Sequence, residues 1–228
     1  MSTAAARSPR AVVAADVGVT ALLAALVVGV VIDQDGFYLR GKAGELRAAT
    51  YPLLAGAVPA AWAMWWRDRP FPWLADLLVT TVCAADLLGN RLNLYDTVAW
   101  FDDVMHLVNT GLLAAALVLL TRWPARALLP VLERAVAFGA SAAIVWEVAE
   151  YFAFLAASPD AVTVYPDTLS DLGYGLAGSA AAAVALTLLW RGGRLRWVVP
   201  MALPRTGRTV RYSDEQHGPD ALVTDRPG

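Results

Sequence analysis

The sequence predicts an all-α fold, a polytopic membrane helical bundle of about six transmembrane helices. Hydrophobic residues make up 58% of the 228 residues, and mean hydropathy is +0.51. Several apolar stretches are long enough to cross the ~30 Å hydrocarbon core as helices. Where these stretches face lipid they must be helical, because an unpaired backbone amide in hydrocarbon costs several kcal/mol. This composition excludes a water-soluble globule.

Short segments rich in Arg, Asp, Pro, Gly and Asn separate the predicted helices. Arg7 and Arg10 precede the first apolar stretch, which is an arrangement typical of a signal peptide. The stretch is nevertheless long enough to span the membrane, so we expect it to be retained as the first transmembrane helix. Residues 1–203 therefore form a single transmembrane helical domain, and the polar segment 204–228 is predicted to be a disordered cytoplasmic tail. The apolar stretches fall at about residues 11–32, 50–66, 71–89, 99–121, 129–156 and 168–190.

The distribution of basic residues predicts the orientation. Of the 18 basic residues, four fall on one side of the predicted spans, which leaves 14 on the other. Because cytoplasmic loops carry the excess, both the N- and the C-terminus are predicted to be cytoplasmic. A coding bias toward Arg and Ala is typical of a GC-rich bacterial genome, so we expect a multi-pass protein of the bacterial plasma (inner) membrane. The four outer basic residues are Arg40, Lys42, Arg47 and Arg91.

Charge and cysteine content exclude two further kinds of protein. The formal net charge is only -2 and the arginines form no patch, so nucleic acid is not expected as a partner. Cys83 is the single cysteine, which rules out an intrachain disulfide and a thiolate metal site. The partner that the composition requires is the lipid bilayer, and nothing in the sequence specifies the oligomeric state.

Ionisable side chains cluster in the last three predicted helices, where each costs roughly 2.5–3.5 kcal/mol on insertion scales. Members of each set are three or four residues apart, so each set shares one helical face. Topology places the three sets, and the polar end of the third helix from Asp86 to Asn93, in the outer half of the bilayer. One outward-facing acidic pocket is therefore predicted. Its residues are Asp102, Asp103 and His106, then Glu147 and Glu150, then Asp167 and Asp171.

Carboxylates gathered in one pocket must share protons, pair with a cation such as Arg91, or bind a metal ion. A divalent ion relieves their repulsion most directly, and oxygen ligands with one imidazole suit Mg, Mn, Ca, Fe or Zn. We therefore take a divalent metal ion of unspecified identity as the candidate cofactor. His106 and Glu150 are the catalytic candidates. The candidate metal ligands are Asp102, Asp103, His106, Glu147, Glu150, Asp167 and Asp171.

Structural roles are open for several of the same acids. Asp102, Asp103 and Asp167 lie within the first turn of their predicted helices, where acids cap free amides and favour the positive end of the helix dipole. Glu147 could extend toward the outer interface instead of the pocket.

The order of these residues resembles the uncharacterised YjdF-type family of bacterial membrane proteins. The resemblance covers about residues 90–190 and is carried by FDDVMH, WEVAEY and YPDTLSDLGYGLAG, the last of which includes Gly178. A more distant similarity is to the VanZ-like family, which has Gln at the position of Glu150 and Asn at that of Asp171. VanZ-like proteins are associated with glycopeptide resistance at the cell envelope. The resemblance implies a shared site more than a particular reaction.

Three classes of function remain open. A metal-assisted enzyme acting on a lipid or lipid-linked envelope substrate would use the ion to activate water or polarise a phosphoryl group, with Glu150 or His106 as general base. A proton- or cation-coupled transporter would use Glu150, Asp171 and His106 as its relay. A noncatalytic scaffold would use the polar cluster only to fix helix packing, through hydrogen bonds of about 1 kcal/mol each.

The composition of the inner halves of two predicted helices helps to rank these classes of function. Residues 112–120 and 180–189 are almost wholly apolar, which argues against a polar path through the bundle. Asp16 and Asp76 lie near the cytoplasmic side and are predicted to bond neighbouring helices. The sequence thus favours a membrane protein with an outward-facing polar site, with the enzyme ranked slightly ahead of the transporter.

Overall fold

The computed structural model describes residues 8–39, 42–121, 127–155, 164–198 and 201. Across these ranges the chain forms helices and turns without a strand, which confirms the all-α prediction. The predicted tail 204–228 lies outside the described residues, as do 156–163 before the last helix. The helices are α1 (Arg10–Ile32), α2 (Gly44–Ala55), α3 (Ala57–Trp65), α4 (Trp73–Arg91), α5 (Leu94–Thr97), α6 (Phe101–Thr121), α7 (Leu128–Leu155) and α8 (Val164–Arg191).

Five helices of the described chain, α1, α4, α6, α7 and α8, are long and apolar enough to cross a membrane. The sixth predicted span, 50–66, is not one continuous helix. It folds as α2 and α3, of 12 and 9 residues, and neither reaches the roughly 20 residues that one crossing requires. The helical bundle predicted with about six transmembrane helices is thus present, with five candidate spans among the described residues and a broken pair in the position of the sixth.

Proline and glycine explain this break. Pro59 has no N–H to donate to the carbonyl of Ala55, so one helical hydrogen bond is missing between α2 and α3. Gly56 stands at the junction, and its N–H still reaches the Pro52 carbonyl at 2.9 Å. The pair nevertheless runs the length of the bundle. Tyr51 contacts the end of α4, whereas Val58 shares a core cluster with residues at the beginning of α4.

The acids and His106 gather at one end of the bundle, here called the polar end, where α4 and α7 finish and α6 and α8 begin. Two contacts show that α1 and α4 run in the same direction. Asp16 and Asp76 share a side-chain hydrogen bond near the starts of the two helices, and Val30 and Leu87 belong to one core cluster near their ends. The opposite end holds an apolar core that joins α3, α4, α6, α7 and α8. The polar residues are therefore confined mainly to one half of the bundle.

Small residues bring α6 and α8 into close contact. A Cβ at Gly178 would overlap the Leu107 carbonyl oxygen, and a Cβ at Gly111 would lie 2.9 Å from the Gly178 carbonyl oxygen. Small residues at membrane helix interfaces let backbones approach in this way. The tight contact fixes the start of α8 beside the first turns of α6, which carry the site.

Candidate functional site

His106 lies at the centre of the polar end, with carboxylates on both sides of its ring. Nε2 is 3.6 Å from Asp102 Oδ1 and 3.7 Å from Asp171 Oδ2. Nδ1 is 3.6 Å from Glu147 Oε1. His106, Glu147 and Asp171 are all buried. The predicted convergence of α6, α7 and α8 on one acidic pocket is therefore present in the structure.

Glu150 completes the His106 cluster, which we define as Asp102, His106, Glu147, Glu150 and Asp171. It stands one helical turn after Glu147 on α7. One ligand atom each from His106, Glu147 and Glu150 lies within 4.8 Å of the others, and the same holds for Asp102, His106 and Asp171. The structure thus brings together five of the seven predicted ligands, in two overlapping groups of three.

Asp103 and Asp167 belong to neither group. Asp103 Oδ1 accepts a hydrogen bond of 3.0 Å from the Ser170 hydroxyl, which ties α6 to α8. Asp167 is exposed in the first turn of α8, where a carboxylate favours the positive end of the helix dipole. Both positions fit the structural interpretation better than metal binding.

A second polar group, the Asp86 network, consists of Arg47, Tyr51, Asp86 and Tyr95. Asp86 Oδ2 accepts hydrogen bonds from Arg47 Nε at 3.1 Å and from the Tyr51 hydroxyl at 2.6 Å. Its Oδ1 accepts one from the Tyr95 hydroxyl at 2.9 Å. Burial and the nearby Asp86 carboxylate raise the pKa of Tyr95 above its ordinary value of 10.0, so its phenol remains a donor at neutral pH. Both oxygens of Asp86 are therefore satisfied.

Among the described residues, the cation that contacts the acids of the site is Arg47, whereas the sequence suggested Arg91. Arg91 donates to the Gly36 carbonyl at 3.0 Å and lies over the Phe37 ring. Arg47 Nη2 instead lies 3.7 Å from Glu150 Oε1, and its guanidinium lies 5.7 Å from the centre of the Trp146 ring. Arg47 therefore joins the Asp86 network to the His106 cluster.

Sequence reasoning assigned Arg47 only to the outer basic residues, and it did not identify Tyr51 or Tyr95 as parts of the polar site. One available signal was the spacing of Arg47 and Tyr51, four residues apart, which puts them on one helical face. The predicted helix began at residue 50, so Arg47 fell outside it. The pairing with Asp86 joins residues 39 positions apart and leaves no local pattern.

A cavity of about 90 Å³ connects the two polar groups. A single water needs only about 10–15 Å³ of such space, so the cavity has room for several waters or part of a larger ligand. One part of its wall is apolar and includes Leu54, Val82, Met105 and Leu113. The other part is polar and includes Asp86, Tyr95, Asp102, His106, Asn109 and Glu150. The cavity is therefore amphipathic, with an acidic side.

The donor set of the His106 cluster suits a divalent ion. Imidazole nitrogen and carboxylate oxygen are ligands that zinc, manganese and iron share. Atoms bound about 2.1 Å from one ion in a tetrahedron lie about 3.4 Å apart. The 3.6 and 3.7 Å separations around Nε2 are close to that value. Small side-chain adjustments would let these atoms bind one ion.

Two further acids form a separate pair in the other half of the bundle. Asp16 of α1 and Asp76 of α4 are buried and share a side-chain hydrogen bond. This confirms the prediction that they connect neighbouring helices. An Oδ1 atom of each accepts no hydrogen bond within the described part of the chain.

The fold and the site together define a multi-span membrane protein with a buried acidic and histidine cluster at one end of its bundle. Residues 15–192 match the family model described as predicted membrane protein, DUF2238. The match covers more than half of the chain, so the chain belongs to this family, and the resemblance to the YjdF type is confirmed. No curated protein and no solved structure matches the chain. The similarity to VanZ-like proteins stays a prediction.

Proposed function

We propose that this protein is a metal-assisted enzyme of the bacterial plasma membrane that acts on a lipid or lipid-linked envelope substrate. One observation supports the proposal most directly: carboxylate oxygens from α6, α7 and α8 lie 3.6–3.7 Å from the ring nitrogens of His106. A protein stabilised only by packing gains little from burying several acids around one imidazole, because each carries a desolvation cost. A bound divalent ion would offset that cost.

The lining of the cavity, which is apolar on one side and acidic on the other, suits an amphiphilic substrate. An apolar chain would pack against Leu54, Val82 and Leu113, while a polar head would reach the acidic side beside His106 and Glu150. A bound ion would supply Lewis-acid polarisation of a phosphoryl or ester group, or activation of water. Glu150 faces the same cavity and would accept a proton as general base. We place this site at the outer face of the membrane, as the distribution of basic residues predicts.

The enzyme proposal is tested with purified full-length protein and phospholipid in mixed detergent micelles. After treatment with a chelator, adding back Zn²⁺ or Mn²⁺ should restore release of a water-soluble head group or of phosphate. His106→Ala should abolish release, and Glu150→Gln should lower it by about 10²–10⁴-fold. Glu133→Gln is the matched control, because Glu133 is exposed on the same helix, α7. Turnover that survives both the chelator and His106→Ala would refute the proposal.

A proton- or cation-coupled transporter is the second candidate, and the Asp16–Asp76 pair supports it. These acids lie in the half of the bundle opposite the His106 cluster, where a transport path would need polar groups. In proteoliposomes, a transporter would dissipate an imposed proton gradient, and Asp76→Asn would abolish that flux. Gradient dissipation by the wild type, together with metal-independent behaviour, would favour transport over enzymatic chemistry.

A noncatalytic scaffold is the third class, and stability measurements separate it from the other two. Replacing His106 or Asp171 in a scaffold would lower the unfolding temperature without loss of a separate activity. Parallel measurement of unfolding and turnover on the same variants therefore decides between a scaffold and an enzyme.

A further inference from the structure

We propose that His106 binds the divalent ion through Nε2 together with Asp102 and Asp171, and that Glu147 is a positioning residue that accepts a hydrogen bond from Nδ1. The inference rests on the proposed function, because it divides the same cluster into metal ligands and a supporting residue. It also separates Glu150 from the ligands.

Two groups of three could in principle hold an ion, and they use opposite sides of the imidazole. Asp102 and Asp171 face Nε2, whereas Glu147 faces Nδ1 and is grouped with Glu150. A neutral imidazole has one nitrogen that accepts or binds a metal and one that carries a proton. The ion therefore occupies one side of the ring, and a carboxylate accepts the N–H on the other.

Arg47 favours the Nε2 side. Its guanidinium lies 3.7 Å from Glu150 Oε1, so Glu150 already has a positive partner. A divalent ion bound by Glu147 and Glu150 would stand close to this guanidinium and repel it. Asp102 and Asp171 instead supply two negative charges, which balance one divalent ion with a neutral imidazole.

Glu147 provides an independent observation for the second half of the assignment. Its side chain is 9% exposed, and its Oε1 atom accepts no hydrogen bond within the described residues. That atom is aimed at His106 Nδ1 from 3.6 Å, and a small rotation would close the gap. The carboxyl group of Glu147 also accepts a side-chain hydrogen bond from Thr168. Metal-binding histidines almost always donate their second N–H to such a group, which fixes the ring orientation.

The cavity is consistent with this division. Asp102, His106 and Glu150 line its wall, whereas Asp171 and Glu147 do not. An ion on Nε2 would therefore be supported by Asp171 from behind and would face the cavity beside Asp102. Catalytic metal sites keep such an open position for water or substrate.

Nitrogen NMR tests which ring nitrogen binds. The chain has two histidines, so labelling histidine with heavy nitrogen gives few signals, and His217→Gln leaves those of His106 alone. Titration with Zn²⁺ should shift the Nε2 resonance to a metal-bound position and leave Nδ1 protonated. Metal binding at Nδ1 would overturn the ligand assignment but leave the proposed metal site. No Zn²⁺-dependent shift at either nitrogen would refute both.

Zinc affinity of variants separates a ligand from a positioning residue. Asp171→Asn should weaken binding of Zn²⁺ by at least about 100-fold, and Glu147→Ala by about 10–100-fold. Glu147→Gln keeps an acceptor oxygen, so it should restore most of the affinity lost in Glu147→Ala. The exposed control Glu133→Gln should bind within about threefold of the wild type, and Glu150→Gln should lose clearly less affinity than Asp171→Asn. If Glu147→Gln or Glu150→Gln loses as much affinity as Asp171→Asn, the ion belongs on the Nδ1 side and the inference is wrong.

Discussion

Arg47 Nε donates a 3.1 Å hydrogen bond to Asp86 Oδ2, which connects the broken α2–α3 pair to α4 across 39 residues of sequence. The two side chains are 12% and 6% exposed, so the pair is buried. Tyr51 and Tyr95 complete the coordination of Asp86. This network holds α2 against the cavity, although α2 is too short to cross a membrane by itself.

Removing Arg47 should destabilise the protein strongly, because Asp86 would keep a buried charge without its cation. Arg47→Met is expected to lower the free energy of unfolding by about 3–5 kcal/mol. Lys42→Met is the matched control, since the Lys42–Asp96 pair of 2.6 Å has a half-exposed acid and is expected to contribute less than about 1 kcal/mol. Thermal unfolding in detergent measures both variants. Equal effects would show that the buried pair has no special role.

Tyr95 makes stability sensitive to alkaline pH. Its pKa is raised in the folded protein, by burial and by Asp86, above the ordinary 10.0. The folded state therefore keeps the phenolic proton where the unfolded state loses it, and stability contributed by Tyr95 falls as pH rises above about 10. Tyr95→Phe should cost about 1.5–3 kcal/mol at neutral pH through the lost hydrogen bond. It should also flatten the decline above pH 10, which unfolding curves at several pH values would reveal. An unchanged alkaline slope would contradict this account of Tyr95.

Close packing of α6 and α8 should control the geometry of the site. A methyl group at Gly178 would overlap the Leu107 carbonyl oxygen, so Gly178→Ala should push α8 away and separate Asp171 from His106. We expect lower thermal stability and weaker metal binding. In Gly173→Ala, on the same helix, the added carbon has nothing within 4 Å, and stability should be unchanged or increase by up to about 1 kcal/mol. If Gly173→Ala is as damaging as Gly178→Ala, helix contact is not the cause.

The predicted orientation can be tested with single cysteines at the two ends of the bundle. Cys83 is buried, and its replacement by Ala gives a background without thiols. Thr97 and Asp68 are exposed at opposite ends. In intact cells, a membrane-impermeant maleimide should label Thr97→Cys directly and Asp68→Cys only after permeabilisation. The reverse pattern would place the polar end, and with it the cavity, on the cytoplasmic side.

The sequence predicted the acids of the site because a charged residue within an apolar helix is conspicuous. Asp102, His106, Glu147 and Asp171 were found from their spacing and from the alternation of helix direction. The proposed division into ligands and a positioning residue was not predictable from the sequence, since it depends on which ring nitrogen faces which oxygen.

The sequence predicted the all-α bundle but missed the break within one of its predicted spans. The stretch 50–66 is apolar enough to suggest one span, but proline and glycine divide it near Gly56. Arg47 precedes the apolar stretch and was counted only among the outer basic residues. Its role depends on the position of α2 beside α4, which is set by tertiary contacts with no signal in nearby residues.

Binding of one divalent ion by the His106 cluster is the central claim, and the metal content of purified protein tests it most directly. Elemental analysis of the wild type in detergent, after equilibration with Zn²⁺ and removal of free ion, should find about one ion per chain. His106→Ala should retain close to none, while Glu133→Gln should match the wild type. A folded wild-type protein that retains no more metal than His106→Ala would contradict the claim.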